Sequence, residues 1–541
     1  MASLNPKSGV LNHRLAAHLL RRTTYVPTRQ NIDNFAIKTV DEAVDDLFML
    51  TDPTMDEPID YTTGEPWINS GSPPGLAEFH LKHIVRSWWI NEARQDVSIG
   101  HKMMFFLHTC FTTTSEILNA AYNFDHLLLL RHFAIGNYRD FAQKMTMDNQ
   151  MLEYLNNTLN NTGNPNENYA REFLELFTIG KGEQIGPGNY TNYTEEDIAT
   201  AARVLTGFKR STRGDYIDPD TNIPSGRTQF NQHDTFIKNF SEAFQNMAIN
   251  GAQTAEEMPD ELSAFIDMVF AQDATAKFIC SKIYRFFVSK NITEEIETDI
   301  IEPLAVTFRD NNYNLELVMK QLLKSEHFYD GDDTNEEDEI IGSLIKSPLE
   351  NVLMSLNVLD IAIPDPLTDA ENHYNNFYRR GVMDAMFNLA GFDIFRPSVV
   401  AGYPAYYQQP DFNRTWFSSN SIIPRYKLPQ MLIEGQRVLL SGNLGGVQFD
   451  VVAFTENPAN ITDPFNASGL VQDFLNYMIP EFPASGRYGY YLNSIFLNGL
   501  VIEDWLYEWG NYLDTGDDSE VRIPLENLVT AIMYSPEYQL F

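Results

Sequence analysis

Residues 164–180 read NPNENYAREFLELFTIG, and this stretch predicts a short helix with clear ends. Asn164 is suited to the N-cap and Gly180 to the C-terminal end, so the predicted helix covers residues 165–179. With 3.6 residues per turn, its apolar side chains share one face and its ionisable ones the other. The polar face therefore needs either water or ionic partners.

That polar face carries groups suited to acid-base chemistry. Arg171 is next to Glu172 and one turn from Glu175. In a cleft, Arg171 could hold one of these carboxyl groups ionised. On an open surface, the same residues would form ordinary ion pairs that add only a few tenths of a kcal/mol. Both alternatives stay open at this stage.

A second capped helix follows at once. Thr194 with Asp197 three residues later forms a capping pattern, and Gly207 ends the segment, which predicts a helix over residues 195–206. Two polar helices joined by a short connection are expected to be neighbours. We therefore expect Arg171 and Glu172 to lie on a mostly buried face against this helix.

Residues 209–259 lose helical periodicity and gain Gly, Pro, Asn and Asp. This composition predicts a long ordered loop or small hairpin that acts as a lid. The predicted catalytic residues come from this loop and the two helices: Arg171, Glu172, Glu175, Arg203, His233, Asp234 and Lys238.

The chain of 541 residues is longer than one hydrophobic core usually serves. We predict a mainly α fold of two helical lobes with long loops and at most a small accessory sheet. An acidic run at 330–339 is the predicted linker between lobes at 1–329 and 340–541. Residues 447–454 are the best strand candidate.

The second predicted lobe contains an aromatic loop at residues 395–426. Its predicted ligand-binding side chains are Tyr403, Tyr406, Trp416 and Arg425. Aromatic faces with flanking donors suit sugar rings or peptides. The alternative is an apolar plug that closes the two lobes. We expect this loop and the His233 loop to line one cleft between the lobes.

Charge and motifs exclude several function classes. There are 38 basic and 74 acidic residues, and a net charge of -36 repels phosphate backbones, so no nucleic-acid partner is expected. No apolar run approaches the roughly 18 to 20 residues of a membrane span. The opening residues show no signal-peptide pattern. Nucleotide-binding glycine motifs and a serine-hydrolase elbow are also absent from the sequence.

Three motifs resemble the signature of the bacterial family called domain of unknown function 1800 (DUF1800). The family pattern P-N-E-N-x-A-R-E-x-x-E-L-x-T-x-G matches residues 165–180. Its companions Y-T-E-x-D and A-R-x-L-T-G match residues 193–197 and 202–207. The resemblance implies an extracytoplasmic location, in the periplasm, at the cell surface or secreted, but it supplies no established activity.

The resemblance also bears on metal binding. Family members often carry W-H-N-H-F before the signature and a histidine inside it, a set that would suit a metal. Here residues 107–111 read LHTCF and the second position is Phe177. The metal candidates are His108 and Cys110, and a divalent metal is not favoured because two of the family's histidine positions are lost.

Two functions of different classes remain open. The first is an extracytoplasmic hydrolase-type enzyme that acts on polymeric or glycosidic material through the carboxylate, arginine and histidine cluster. The second is a catalytically inert binding or structural component of a cell-surface assembly, with a carbohydrate or protein partner. The discriminating observation is whether the cluster converges on one water-accessible pocket.

Overall fold

The computed structural model describes residues 2–50, 56–71, 73–332, 339–435 and 444–541. Its architecture is mainly α, as predicted. The helices before the acidic run are His13–Thr23, Arg29–Ala36, Val40–Leu47, Glu78–Gln95, Gly100–Cys110, Ala120–His132, Tyr138–Thr146, Asn149–Tyr154, Asn168–Glu172, Glu195–Val204, Met258–Phe270, Asp273–Phe287, Glu294–Ile296, Glu302–Asp310 and Leu315–Leu323.

The second part of the chain is also helical. Its α-helices are Pro348–Val358, Pro404–Tyr407, Ile422–Ile433, Val451–Glu456, Ala467–Met478, Ser485–Gly489, Ile502–Thr515 and Ser519–Met533. Wider π-helical turns occur at Phe173–Phe177, Glu297–Ile301, Asn372–Phe387 and Tyr490–Phe496. Short 3-10 turns occur at Asn157–Leu159, Phe230–Gln232, Glu242–Phe244, His327–Tyr329, Asn388–Ala390, Phe412–Trp416 and Glu537–Gln539.

Sheet is limited to small antiparallel pairs in the part of the chain that the structure describes. These pairs are Ile59–Asp60 with Glu65–Pro66, Gln184–Gly186 with Asn189–Tyr190, Phe208–Lys209 with Arg227–Thr228, and Lys238–Asn239 with Ala248–Ile249. The predicted strand at 447–454 is wrong, because Asp450 caps the helix Val451–Glu456 by accepting a hydrogen bond from Ala453 N. Local capping outweighs the β-branched composition there.

Both predicted lobes contribute side chains to one buried apolar cluster. Phe105 of the first packs against Phe392 and Phe395 of the second, with ring centroids 6.0 and 6.3 Å apart. The division into two lobes stays a prediction, and residues 333–338 of the predicted linker lie outside the described residues. No helix among the described residues is both long enough and apolar enough to cross a lipid bilayer.

The boundaries of the two signature helices differ from the prediction. The first begins at Asn168, with Glu167 at the N-cap, and becomes π-helical over Phe173–Phe177. Asn164 instead belongs to a hydrogen-bonded turn with Asn161, so it is not the N-cap. The second has the predicted capping box and ends at Val204, two residues early. The last residues of the predicted aromatic loop already belong to the helix Ile422–Ile433.

Candidate functional site

The signature helix changes its winding in the middle of the motif. Asn168–Glu172 is α-helical and the next turn, Phe173–Phe177, is π-helical. Phe173 and Phe177 are buried, and the Thr178 hydroxyl donates to Phe173 O at 2.6 Å. Such single π turns are frequent at functional sites, because they re-aim side chains relative to a regular helix. Here the π turn contains Glu175.

Arg171 joins the signature helix to the second capped helix. Its two terminal nitrogens each lie 2.8 Å from an oxygen of Glu195, the first residue of that helix. Its Nη2 also donates to Glu167 at 3.2 Å. The hydrogen bond to Glu195 raises the pKa of Arg171. The side chain is 34% exposed, so the expected contact exists at the protein surface rather than on a buried face.

Glu172, the next residue along the signature helix, is partly buried. Burial, followed by the nearby Glu175 carboxylate, raises the pKa of Glu172 to about 7. Arg171 and Lys181 act in the opposite direction without reversing the shift. A carboxyl group in this state can be a proton donor near neutral pH.

Glu175 lies on the π turn with two partners. Lys181 forms a close ion pair with Glu175 Oε1, and the Tyr193 hydroxyl donates to Oε2 at 3.3 Å. Burial and this carboxylate raise the pKa of Tyr193. Glu175 therefore keeps a fixed orientation, and it lines a cleft.

The cleft has a volume of about 360 Å³, within the range of small-ligand sites, roughly 300 to 1,000 Å³. Four parts of the chain form its walls: the end of the helix Gly100–Cys110, the end of the signature helix, the helix Asp273–Phe287, and the aromatic loop. The lining residues are Phe106, Thr109, Cys110, Thr112, Glu175, Leu176, Phe177, Lys181, Phe278, Lys282, Arg285, Phe286, Val400, Ala401, Tyr406, Tyr407, Gln409 and Phe412.

Gly180 allows one of these walls to form. Its φ is +72°, and a Cβ atom at this position would lie 2.8 Å from the Phe278 ring. Only glycine combines the left-handed conformation with so close an approach. The glycine of the signature motif therefore ends the helix and also allows the Phe278 ring, part of the cleft wall, to approach the backbone closely.

The remaining predicted catalytic residues form a separate network, which is buried except for the partly exposed Arg203. Arg203 Nε donates to Asp234 at 2.8 Å. His233 Nε2 lies 2.8 Å from Glu261, and Lys238 Nζ lies 2.6 Å from the other oxygen of that carboxylate. Glu261, which the sequence did not single out, is the centre of this network and is 2% exposed.

The two groups do not converge. Arg171 contacts the first residue of the helix Glu195–Val204, whereas Arg203 lies in its last turn. At 1.5 Å per residue, these positions are about 12 Å apart along the axis. Because the His233 side chain is fully buried, it does not line a cleft with the aromatic loop. None of the residues that line the cleft beside the aromatic loop comes from residues 209–259, so the expected shared cleft is wrong for that cleft.

The predicted ligand-binding residues also do not share one site: some are buried and one lines the cleft. Tyr403 and Trp416 are 3% and 5% exposed and belong to the core. Arg425 is buried and donates to Lys346 O at 2.6 Å. Tyr406 lines the cleft, with its ring 5.2 Å from that of Phe286. The side chains of Tyr403 and Trp416 are thus part of the apolar plug, whereas Tyr406 forms part of a cleft wall.

His108 and Cys110 do not fit a metal centre of the family type. His108 is wholly buried against the Phe395 ring, 4.9 Å away, and burial lowers its pKa to about 3. Cys110 is two positions along the helix, hence on another side, and Phe177 packs on Phe111 at 4.7 Å where the family has a histidine. Within the described ranges, no three His, Cys, Asp or Glu side chains are grouped to hold a metal ion.

Sequence reasoning missed the cationic wall of the cleft. Lys282 and Arg285 are one turn apart on the helix Asp273–Phe287, and Lys181 follows the signature helix. Cations at helical spacing normally indicate a solvated face, so no local signal distinguishes these from surface residues. Only the packing of the aromatic loop over them encloses the site.

Comparison with known proteins supports one relationship. No curated protein and no solved structure matches this chain. The sequence profile of DUF1800, described as a protein of unknown function, matches residues 18–540. This range includes the signature helix, the cleft and both predicted lobes. The chain therefore belongs to the DUF1800 family.

Proposed function

We propose that the protein is a hydrolase-type enzyme that cleaves polymeric or glycosidic material at the cleft beside the signature helix. The observation that carries the proposal is the carboxyl pair Glu172 and Glu175: Glu175 lines the cleft, and Glu172 lies one turn before it, outside the lining residues. Burial and the nearby Glu175 raise the pKa of Glu172 to about 7, and Glu175 forms an ion pair with Lys181. Two carboxyl groups in different protonation states are what glycoside hydrolysis requires.

In this proposal, Glu172 gives its proton to the oxygen of the leaving sugar as the glycosidic bond breaks. Glu175 accepts a proton from the water that attacks the anomeric carbon. Water thus adds across the broken bond, and the two carboxyl groups exchange their protonation states before the next turnover. Tyr193 and Lys181 act on the reaction by positioning Glu175.

The test measures new reducing ends from a panel of neutral and acidic polysaccharides. We expect Glu172→Gln and Glu175→Gln to lower the initial rate by about 10²-fold or more, because each removes a proton-transfer group. Glu167→Gln is the matched control, since Glu167 is 45% exposed and pairs with Arg171 outside the cleft. Full activity in both glutamine variants would reject the assignment.

A second candidate is an inert binding or structural component of a cell surface. It is favoured by the burial of Tyr403 and Trp416, which removes two predicted stacking platforms, and by the ion pair that already occupies Glu175. Binding without reducing-end formation across the panel would support it. For either function we propose an extracytoplasmic location, supported by the family resemblance and tested by fractionation of the native host.

A further inference from the structure

Two cations of the cleft face it without carboxylate partners. Lys282 Nζ donates to Leu176 O at 2.6 Å and lies 4.9 Å from the centre of the Phe278 ring. The Arg285 guanidinium stacks on Phe412 at 4.8 Å. Neither forms an ion pair with any carboxylate in the described part of the chain, whereas Lys181 is paired with Glu175. The cleft wall therefore carries an excess of positive charge.

This arrangement is costly without a ligand. Arg285 Nε is buried and has no hydrogen-bond partner among the described residues, and an unsatisfied buried donor opposes folding. Burial also lowers the pKa of Lys282 and of Arg285. Glu297 offsets only part of this effect at Arg285. Both side chains would therefore gain from an anion that enters the cleft.

We propose that this cleft binds a ring-bearing ligand through a carboxylate or phosphate group seated on Lys282 and Arg285. A guanidinium pairs with either group through directed hydrogen bonds, and a lysine adds a point charge. Tyr406 and Phe278 offer apolar faces for the ring. As the substrate of the reaction proposed above, the ligand is an acidic glycan, with uronic acid or phosphorylated sugar units; that role, unlike binding itself, rests on the proposed function.

The acidic surface of the protein does not prevent an anion from binding in the cleft. The net charge of -36 is spread over the whole chain, and at 0.15 M salt the screening length is about 8 Å. Contacts inside the cleft are shorter than this length, whereas most surface carboxylates are farther away. The local cations therefore dominate at the binding step, and the surface charge acts mainly on the rate of approach.

Isothermal titration calorimetry tests the proposal with four probes: a trimer of galacturonic acid, the matching neutral galactose trimer, glucose 6-phosphate and inorganic phosphate. We expect the two ring-bearing anions to bind at least tenfold more tightly than the neutral trimer and inorganic phosphate. The uronate and the sugar phosphate distinguish a carboxylate from a phosphate ligand. Equal affinity for the charged and neutral trimers, or inorganic phosphate as the tightest ligand, would overturn it.

Substitutions of Lys282 and Arg285 test whether these two side chains bind the anion. Arg285→Gln and Lys282→Met should each weaken binding of the best anionic probe at least tenfold, and Lys282→Arg should restore most of it. Lys277→Gln is the control, because Lys277 is on the same helix, 39% exposed and paired with Glu302 outside the cleft. An unchanged Kd in Arg285→Gln would overturn the proposal. If the variants fail to fold, the same titration of the wild-type protein at increasing sodium chloride concentration tests the proposal, because the affinity for the anion must fall as salt rises.

The outcome separates the two proposals. Tight binding of the uronate trimer without new reducing ends would reject the hydrolase and leave the anion site standing. Cleavage of neutral and acidic polymers at equal rates, with no preference in binding, would leave the hydrolase standing and reject the anion site.

Discussion

Arg171 and Glu195 are paired end to end, with two nitrogen-oxygen distances of 2.8 Å. They belong to two motifs that are separated in the sequence by a small antiparallel pair of strands. This bidentate contact fixes the signature helix against the start of the next helix. The two motifs are therefore parts of one local unit.

We expect the pair to contribute modestly to stability. Arg171→Ala and Glu195→Ala should each lower the free energy of unfolding by less than about 1 kcal/mol, because both side chains are a third or more exposed. Urea unfolding of the two variants and the double variant gives the coupling energy, which we expect at about 0.2 to 1 kcal/mol. A coupling of several kcal/mol would mean that the pair is shielded from water.

Glu172 should make stability depend on pH. Its folded-state pKa of about 7 is above the ordinary value of about 4.3. Between these values the folded protein keeps a proton that the unfolded chain has released, so the free energy of unfolding falls as pH rises from about 4.5 to 7. We expect a loss of about 1 to 3 kcal/mol from this group, and a shallower pH dependence in Glu172→Gln. If the free energy of unfolding depended on pH equally in the wild-type protein and in Glu172→Gln, the raised pKa of Glu172 would be contradicted.

The network around Glu261 should be structural. Glu261→Gln leaves the buried Lys238 without its nearer carboxylate partner, with Asp234 at 3.9 Å, and loss of a partner costs about 3 to 5 kcal/mol in such pairs. Thermal or urea unfolding measures the loss. Asp260→Asn is the control, since Asp260 is the neighbouring exposed carboxylate on the same helix. If Glu261→Gln unfolds like the control, the buried network does not support the fold.

The aromatic plug should behave as core. Tyr403→Ala should lower the free energy of unfolding by about 3 to 5 kcal/mol, because it empties a buried site of an aromatic ring. Its hydroxyl also donates to Asp393 O at 2.8 Å. Tyr407→Ala, at a side chain that is 39% exposed on the cleft rim, should cost much less. Similar losses for the two variants would contradict this division.

Metal content is a separate prediction. After dialysis against a chelator, the protein should hold no stoichiometric zinc, iron or manganese at His108, because that ring is enclosed by aromatic side chains and faces no carboxylate in the structure described. Elemental analysis measures this directly. One metal ion per chain that is lost in His108→Ala would contradict the prediction.

Sequence alone determined the helical class, the capping box at Thr194 and the family, because these depend on short-range spacing and capping chemistry. It also identified Glu172 and Glu175 as candidate residues. It misplaced the start of the signature helix, because Asn164 belongs to a hydrogen-bonded turn with Asn161 that composition does not reveal, and Glu167 is the N-cap.

Tertiary structure alone decided which candidates share a site. His233 and Arg203 do not belong to the cleft, because His233 pairs with Glu261 of a distant helix and Arg203 pairs with Asp234. Lys282 and Arg285 line the cleft, because the aromatic loop, more than a hundred residues later in the sequence, folds over them. Burial and charge pairing depend on such long-range packing, so no local pattern could have distinguished a cleft cation from a surface one.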